Sequence, residues 1–356
     1  MFKGARILVA PLDWGLGHAT RCIPIVRALR KHGATVVLGA DGAPLALLQQ
    51  EFPDLEHVRI PGVQVQYSRS NDQRWSMAKQ FPAMVRSVRT ERRLFERVLR
   101  PLQLQAVISD QRFGLRSPDL HSVIITHQVF PFTPLAQTAL RRLNRYHLER
   151  FDRCWIMDEP AAPGLAGELA HGTPHPANAR YIGTVSRMGS SGPSRSEGYE
   201  VVAVISGPEP QRTLLEERLL DGLHALPGRH LLVVGQPNQN KDQHHGNVHV
   251  RSHLGAEELE SRLQGASLIV SRSGYTTLMD LVAIGRSALI IPTPGQAEQE
   301  YLGDLHQRTG RFVVQHQDAI DLAKAMAQVA ATARRPAAEQ NVLLEQALVE
   351  LAAALS

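Results

Sequence analysis

Residues 186–198 read SRMGSSGPSRSEG, and on either side of that stretch the same alternation of short apolar runs and amphipathic segments starts afresh. Small polar residues with Gly and Pro read as a linker, not a packed element. Before it, Arg6–Ala10 reads as a buried strand, about His18 to His32 as an amphipathic helix, and Thr35–Ala40 as a β-branched second strand. Gly33 stands where a helix C-cap glycine belongs. Ala106–Ser109 and Ser122–Thr126 continue the strands, and Met77–Arg100 reads as a long basic helix. After the linker, strands are expected at Glu200–Ser206, His230–Val234, Leu268–Val270 and Ala288–Ile291, with helical stretches between them. Strand–helix–strand order implies parallel sheets with crossover helices, hence an α/β chain of two Rossmann-like domains. The expected domains are 1–190, 191–335, and a C-terminal helix within 336–356 that packs back on the first. Ligands of such sheets bind beyond the carboxyl ends of the strands. A site is therefore expected on each wall of a cleft between the domains.

With 356 residues, 43% of them hydrophobic, the chain can bury two cores. No run of 18 apolar residues occurs, and no signal-like segment precedes Arg6. Cys22 and Cys154 are far apart and in no paired motif, which excludes a disulfide framework. These features predict a cytoplasmic protein. Residues 1–190 hold 25 Lys and Arg against 15 Asp and Glu, while the remainder holds 14 against 19. The basic first half suits an anionic partner, or serves solubility alone. Aromatics make up only 5% and do not interleave with the basic residues, so nucleic acid is not an expected partner.

The turn after the first strand reads Asp13-Trp14-Gly15-Leu16-Gly17-His18-Ala19-Thr20. Gly15 and Gly17 let the backbone approach a ligand. His18 then stands at a helix N-terminus, whose dipole disfavours the imidazolium. A neutral imidazole suits a general base, with Asp13 in reserve. A dinucleotide turn would need glycine where Thr20 stands, although Asp41 could serve as its ribose acid. His18 could also simply cap its own helix.

Ser271–Asp280 reads SRSGYTTLMD between a strand and a helix. Ser273, Gly274 and Thr276 put small and hydroxyl groups at a helix N-terminus, a site fit for a diphosphate. Asp280, farther along that helix, can bond the paired hydroxyls of a ribose; the alternative is a surface Asp behind an ordinary cap. In Pro292–Tyr301, Gln296, Gln299 and Glu300 can bracket sugar hydroxyls, or be no more than a polar helix start. Asp110 and Arg112 follow another strand and can orient an acceptor or form a structural salt bridge. The basic helix sets Arg86, Arg89, Arg92, Arg93, Arg97 and Arg100 beside Met84, Val85, Val88, Leu94 and Phe95. It suits an anionic membrane or a lipid diphosphate, or else is a solvated face over a packed underside. His244, His245, His249 and His253 offer zinc-type donors, but a strand-like run splays them, so no metal site is expected.

Ala266–Gly310 resembles the C-terminal domain of family 28 glycosyltransferases. The likeness rests on Arg272-Ser273-Gly274, the helix acid Asp280, Ala283-Ile284-Gly285, the strand ending in Pro292, and Gln296–Glu300. It implies a GT-B fold and a nucleotide-sugar substrate, with no further cofactor. It gives Asp280 the ribose, Gln299 and Glu300 the donor sugar, and His253-Leu254 the base. Arg187, after Gly183, matches an interdomain Arg near the nucleotide. Gly15–His18 resembles the family's N-terminal Gly loop, and His127-Gln128 a polar pair near the acceptor. Ser206-Gly207-Pro208-Glu209-Pro210-Gln211 replaces the family's second Gly-rich loop, and its prolines remove two N–H donors. The helix acid is Asp where Glu is usual, and the first loop begins Asp13-Trp14 where the family has glycines.

The resemblance implies transfer of a sugar, from a UDP-sugar such as UDP-N-acetylglucosamine, to an acceptor hydroxyl, inverting and metal-independent. A lipid-linked acceptor at the inner face of the membrane is expected, with peripheral contact through the basic first domain. Two other classes stay open: a nucleotide-sugar epimerase or hydrolase of the same fold, and a non-catalytic nucleotide-sugar or membrane-surface binder.

Overall fold

The computed structural model describes residues 1–13, 15–62, 88–132, 137–189, 198–207, 209–237, 239–332 and 341–356, with the side chains of 98–100 left out. The chain divides into two compact units. The first takes the described residues up to Val185 together with the helix near the C-terminus, and the second takes those from Ser186 to Thr332.

In the first unit the strands are β1 (Arg6–Ala10), β2 (Thr35–Ala40), β3 (Glu56–Arg59), β4 (Ala106–Asp110), β5 (His121–Thr126), β6 (Arg153–Ile156) and β7 (Ala179–Tyr181). They form one parallel sheet in the order β3-β2-β1-β4-β5-β6-β7. The central strands are continuous apolar runs because helices cover both faces of a parallel sheet. Ile7, Leu8, Val9, Ala106, Val107 and Ile108 are wholly buried. The helices are α1 (Leu16–Lys31), α2 (Gly42–Glu51), α3 (88–94) and α4 (Gln137–Leu148). The predicted basic helix is thus described only from residue 88, and it passes into a π-helical turn at Phe95–Leu99. Arg86, Met84 and Val85 lie outside the described residues.

The second unit repeats the plan. Its strands are β8 (Val201–Val204), β9 (His230–Val233), β10 (Asp242–His245), β11 (Val248–Arg251), β12 (Leu268–Ser271), β13 (Leu289–Ile290) and β14 (Val313–Val314). They lie in the order β10-β11-β9-β8-β12-β13-β14, parallel except for the β10–β11 hairpin. Helices α5 (Gln211–His224), α6 (Ala256–Gly265), α7 (Tyr275–Ala283), α8 (Ala297–Arg308) and α9 (Leu322–Ala330) complete it. Val201, Leu215, Leu219, Leu232, Leu268 and Leu289 share one core.

Helix α10 (Val342–Ala354) belongs to the first unit. It buries Leu344, Ala347, Leu348 and Leu351. Asn341 caps it, accepting from the Leu344 N–H at 3.0 Å and donating to the Thr184 carbonyl at 2.9 Å. A Cβ on Gly183 would stand 2.7 Å from the Asn341 Oδ1, and Gly183 has φ +72°, so only glycine fits there. His32 Nε2 meets Glu345 at 2.6 Å. Among the described residues no helix is long and apolar enough to cross a membrane.

Candidate functional site

Each unit gathers polar side chains at the carboxyl ends of its central strands. In the first unit Gly15, with φ +130°, swings the chain from β1 into α1, a backbone state that side chains rarely adopt. His18 is the third residue of that helix, and its Nδ1 lies 2.9 Å from the Asp110 Oδ2 at the end of β4. Gln111 follows in the left-handed region (φ +55°) and donates to the Thr126 hydroxyl at 3.1 Å. Non-glycine residues held there mark turns whose shape is enforced by their surroundings.

Asp110 is wholly buried and is not open to a ligand. Arg21, one helical turn beyond His18, clamps it through Nε (2.7 Å to Oδ2) and Nη2. The same guanidinium reaches the His127 Nδ1 at 3.0 Å, and Gln128 lies 3.4 Å from the other nitrogen of that ring. So His18, Asp110, His127 and Gln128 are brought together by a residue absent from the expected set. Burial raises the Asp110 carboxyl, but Arg21 and His18 outweigh it and hold it well below the usual range. Burial and then the Arg21 charge lower His18 against the pull of Asp110, so the imidazole is neutral. With its Nδ1 proton given to Asp110, His18 keeps a lone pair on Nε2 and can take a proton.

Of its two expected roles, Arg112 shows the structural salt bridge. It is 0% exposed, and its donors are taken by Glu91 (3.1 Å), Asp13 (3.4 Å) and the carbonyls of Pro11, Ile60 and Pro61. It is a strut tying α3 to the ends of β1 and β3. Asp13 stands beside it with Oδ2 buried and unpartnered among the described residues. Burial, opposed by Arg112 and reinforced by Asp41 and Glu91, pushes the Asp13 carboxyl up to about 6. Asp13 therefore gains or loses a proton near neutral pH. Gly17 forms the second residue of α1.

In the second unit Gly274 caps α7, and a Cβ there would meet nothing within 4 Å, so the helix start is open. Thr276 lies in the first turn. Ser273 differs from expectation: its hydroxyl is wholly buried and donates to the Gln299 carbonyl at 2.8 Å. Any anion contact by Ser273 is thus left to its backbone. Arg272, 3% exposed, reaches only the carbonyls of Gln211, Ile291 and Pro292, and its Nε has no partner among the described residues. Burial alone lowers this guanidinium to about 10.

Asp280 is buried, not a surface acid. It accepts from the Ser186 hydroxyl at 2.6 Å and faces Arg187 at 3.9 Å. Burial raises its carboxyl against both of those partners. His253, lowered to about 4 by burial and then Arg187, adjoins the buried Leu254. In the loop after β13, Gln299 Oε1 accepts from the Thr293 N–H and Glu300 Oε1 from the Gly295 N–H. These oxygens shape their own loop, so they are not both available to bracket a sugar. Gln296 caps α8, with its Oε1 buried and unpartnered among the described residues. Gly207 has φ +125°, and Glu209 beyond it is taken up by Arg212 and Thr213. Of the four histidines, His249 stacks on His244 across the β10–β11 hairpin and bonds Asp242 and Tyr199. No group of metal-type donors gathers among the described residues.

Residues 212–349 match the glycosyltransferase family 28 C-terminal domain. The second unit is family 28-like, and the fold is GT-B. The chain is also similar to a curated relative from Novosphingobium aromaticivorans, the UDP-N-acetylglucosamine--N-acetylmuramyl-(pentapeptide) pyrophosphoryl-undecaprenol N-acetylglucosamine transferase. It is 32% identical over 100 residues, which is 26% of each chain, so the match spans about a quarter of that relative's length. The GT-B likeness runs the whole length. The spinosyn rhamnosyltransferase SpnG superposes with a TM-score of 0.64 at 16% identity, over 98% of this chain and 96% of that one. MurG of Acinetobacter baumannii gives 0.52 at 13% identity, over 99% of this chain and 99% of that one.

Proposed function

We propose that this chain is a glycosyltransferase that moves a sugar from a UDP-sugar to an acceptor hydroxyl. The observation that carries the reading is Arg272. This buried guanidinium, without a carboxylate partner among the described residues and beside the open N-terminus of α7, lies within the part that matches the family 28 C-terminal domain. An uncompensated buried cation is costly, and a diphosphate would supply the missing negative charge. The α7 terminus, with Thr276, then offers N–H groups to that anion, Asp280 takes the ribose hydroxyls, and the His253-Leu254 backbone takes the base.

His18 is the base of the reaction. Its Nε2 takes the proton of the acceptor hydroxyl, the oxygen attacks the anomeric carbon, and the bond to the diphosphate oxygen breaks with inversion. The leaving charge falls to fixed dipoles and arginines, which can replace a metal. Asp13 is the reserve base. An anionic, lipid-linked acceptor at a membrane face suits the basic first unit.

Calorimetric titration of UDP, GDP, dTDP, ADP and NAD into wild type and Asp280→Ala tests the reading. UDP should bind, and the variant should lose at least about tenfold in affinity, or ~1.4 kcal/mol. Binding of NAD alone, or of no nucleotide, would sink it. Conversion of the bound donor without any acceptor would point instead to an epimerase or hydrolase.

A further inference from the structure

Arg21 is 2% exposed, and its guanidinium touches side chains from three elements. It holds both oxygens of Asp110, from β4. Nη2 lies 2.9 Å from the Nδ1 of His18, on α1 itself. Nη1 lies 3.0 Å from the Nδ1 of His127, just past β5. A guanidinium can only donate. The His127 Nδ1 therefore presents a lone pair to it, and in the neutral ring the proton sits on Nε2, with the Gln128 amide, whose Nε2 lies 3.4 Å away, turned to offer its oxygen to that hydrogen.

His18 is the more telling case, because its Nδ1 has two suitors. Asp110 Oδ2, at 2.9 Å, can only accept, and Arg21 Nη2, also at 2.9 Å, can only donate. One ring nitrogen cannot serve both. Protonated, Nδ1 gives its hydrogen to Asp110 and leaves the Nε2 lone pair free as a base. Unprotonated, it accepts from Arg21, and Nε2 carries the hydrogen instead.

We propose that Arg21 is a positioning residue that sets the protons of both imidazoles, fixing His127 as an Nε2–H donor and cancelling the Asp110 charge so that His18 stays neutral and passes between its two tautomers. A carboxylate beside an imidazole ordinarily stabilises the imidazolium. Here the bidentate guanidinium removes that advantage. Among the described residues, the charged and titratable groups facing His18 are Asp110 from β4, Arg21 from its own helix and His127 from the end of β5. The Cys22 thiol, near Asp110 and Arg21, is pushed well above its usual range by burial and by Asp110, so it stays neutral. The catalytic meaning of this arrangement rests on the transferase reading, but its test does not.

The test is nitrogen-15 NMR of the histidine rings in wild type, Arg21→Lys and Arg21→Met, from about pH 5 to pH 8, the span in which histidine normally titrates. In wild type, His127 should show its proton on Nε2, and His18 should titrate below its ordinary value. In Arg21→Met the bare Asp110 should raise the His18 titration by about one unit or more. The acid limb of kcat/KM should rise with it, with nucleotide affinity unchanged. Arg21→Lys, which keeps the charge without the fork, should fall between. A wild-type His18 that titrates at or above the ordinary value of about 6.5 overturns the proposal. So does a His127 protonated on Nδ1. Both of those results come from wild type, so a poorly folding variant cannot mask them. If the rings behave as described but no nucleotide binds, the proton placement stands and the transferase reading fails. If sugar is transferred but the rings do not behave so, the reverse holds.

Discussion

Both units bury an arginine just past a central strand, and they surround it differently. Arg112, after β4, meets the carboxylates of Glu91 and Asp13 as well as three carbonyls. Arg272, after β12, meets only carbonyls among the described residues. The buried carboxylates follow the same division. Asp110 sits in a bidentate clamp, while Asp280 has a hydroxyl at 2.6 Å and a guanidinium only at 3.9 Å. A charge taken out of water is tolerated when a counter-charge comes with it. In the first unit the buried arginines Arg21 and Arg112 meet carboxylates. In the second, Arg272 has no carboxylate partner among the described residues, which is the feature the proposed diphosphate would complete.

The largest effect expected is on turnover. His18→Ala should lower kcat by roughly 10²–10⁴-fold while leaving nucleotide affinity unchanged. Equal losses in both would merge the two sites into one function and dissolve the contrast.

Stability separates the arginines next. Arg112→Met strands Glu91, whose carboxyl burial already raises, and should cost ~3–5 kcal/mol. Arg272→Met strands carbonyls but no carboxylate among the described residues, so it should cost less, ~1–3 kcal/mol, while weakening UDP binding about tenfold or more. Denaturant melts of the two variants showing equal losses would refute the difference.

The carboxylates should show opposite pH behaviour. Asp110 titrates below its unfolded value, so its stabilisation is present above about pH 4 and is lost as pH falls through the folded pKa. Asp280 titrates above its unfolded value, so its contribution is present below about pH 4 and is lost as pH rises through the folded pKa. At pH 7 Asp110→Asn should therefore lower Tm and Asp280→Asn should raise it. A rise with both, or a fall with both, contradicts the division.

The smallest effect concerns Asp13. Its raised carboxyl favours the folded state when protonated, and that advantage fades as pH climbs from about 4 through about 6. Asp13→Asn should raise Tm above that window by ~2–4 °C, as expected for ~1 kcal/mol in a unit of this size, and by less at pH 4. Melts at the two pH values give the comparison directly.

Much of the framework could be read from local pattern. The run at residues 6–10, the β-branched run at 35–40 and the amphipathic stretch between them became β1, β2 and α1 within two residues of the expected ends. Such elements depend on neighbours along the chain. Arg21 was missed because a lone arginine in an amphipathic helix resembles a solvated face. What buries it is Asp110, 89 residues away, and no window contains both. Glu91 was likewise hidden in a basic helix, and its burial shows only once Arg112 arrives from 21 residues on. Ser273, Gln299 and Glu300 have residue types that suit a ligand, but only the folded loop reveals that backbone groups of the unit already engage them.

The placement of α10 has a consequence for how the chain matures. The first unit is discontinuous: its sheet ends at β7, yet Leu344, Ala347, Leu348 and Leu351 pack into it from beyond the whole second unit. A fragment stopped at Val185 would leave that apolar surface bare and Gly183 without the Asn341 that closes over it. The described residues of the second unit fall between Ser186 and Thr332 and have their own core, so it can condense first. During synthesis the half that emerges earlier is thus the half that finishes later, waiting on a segment that the later half must release.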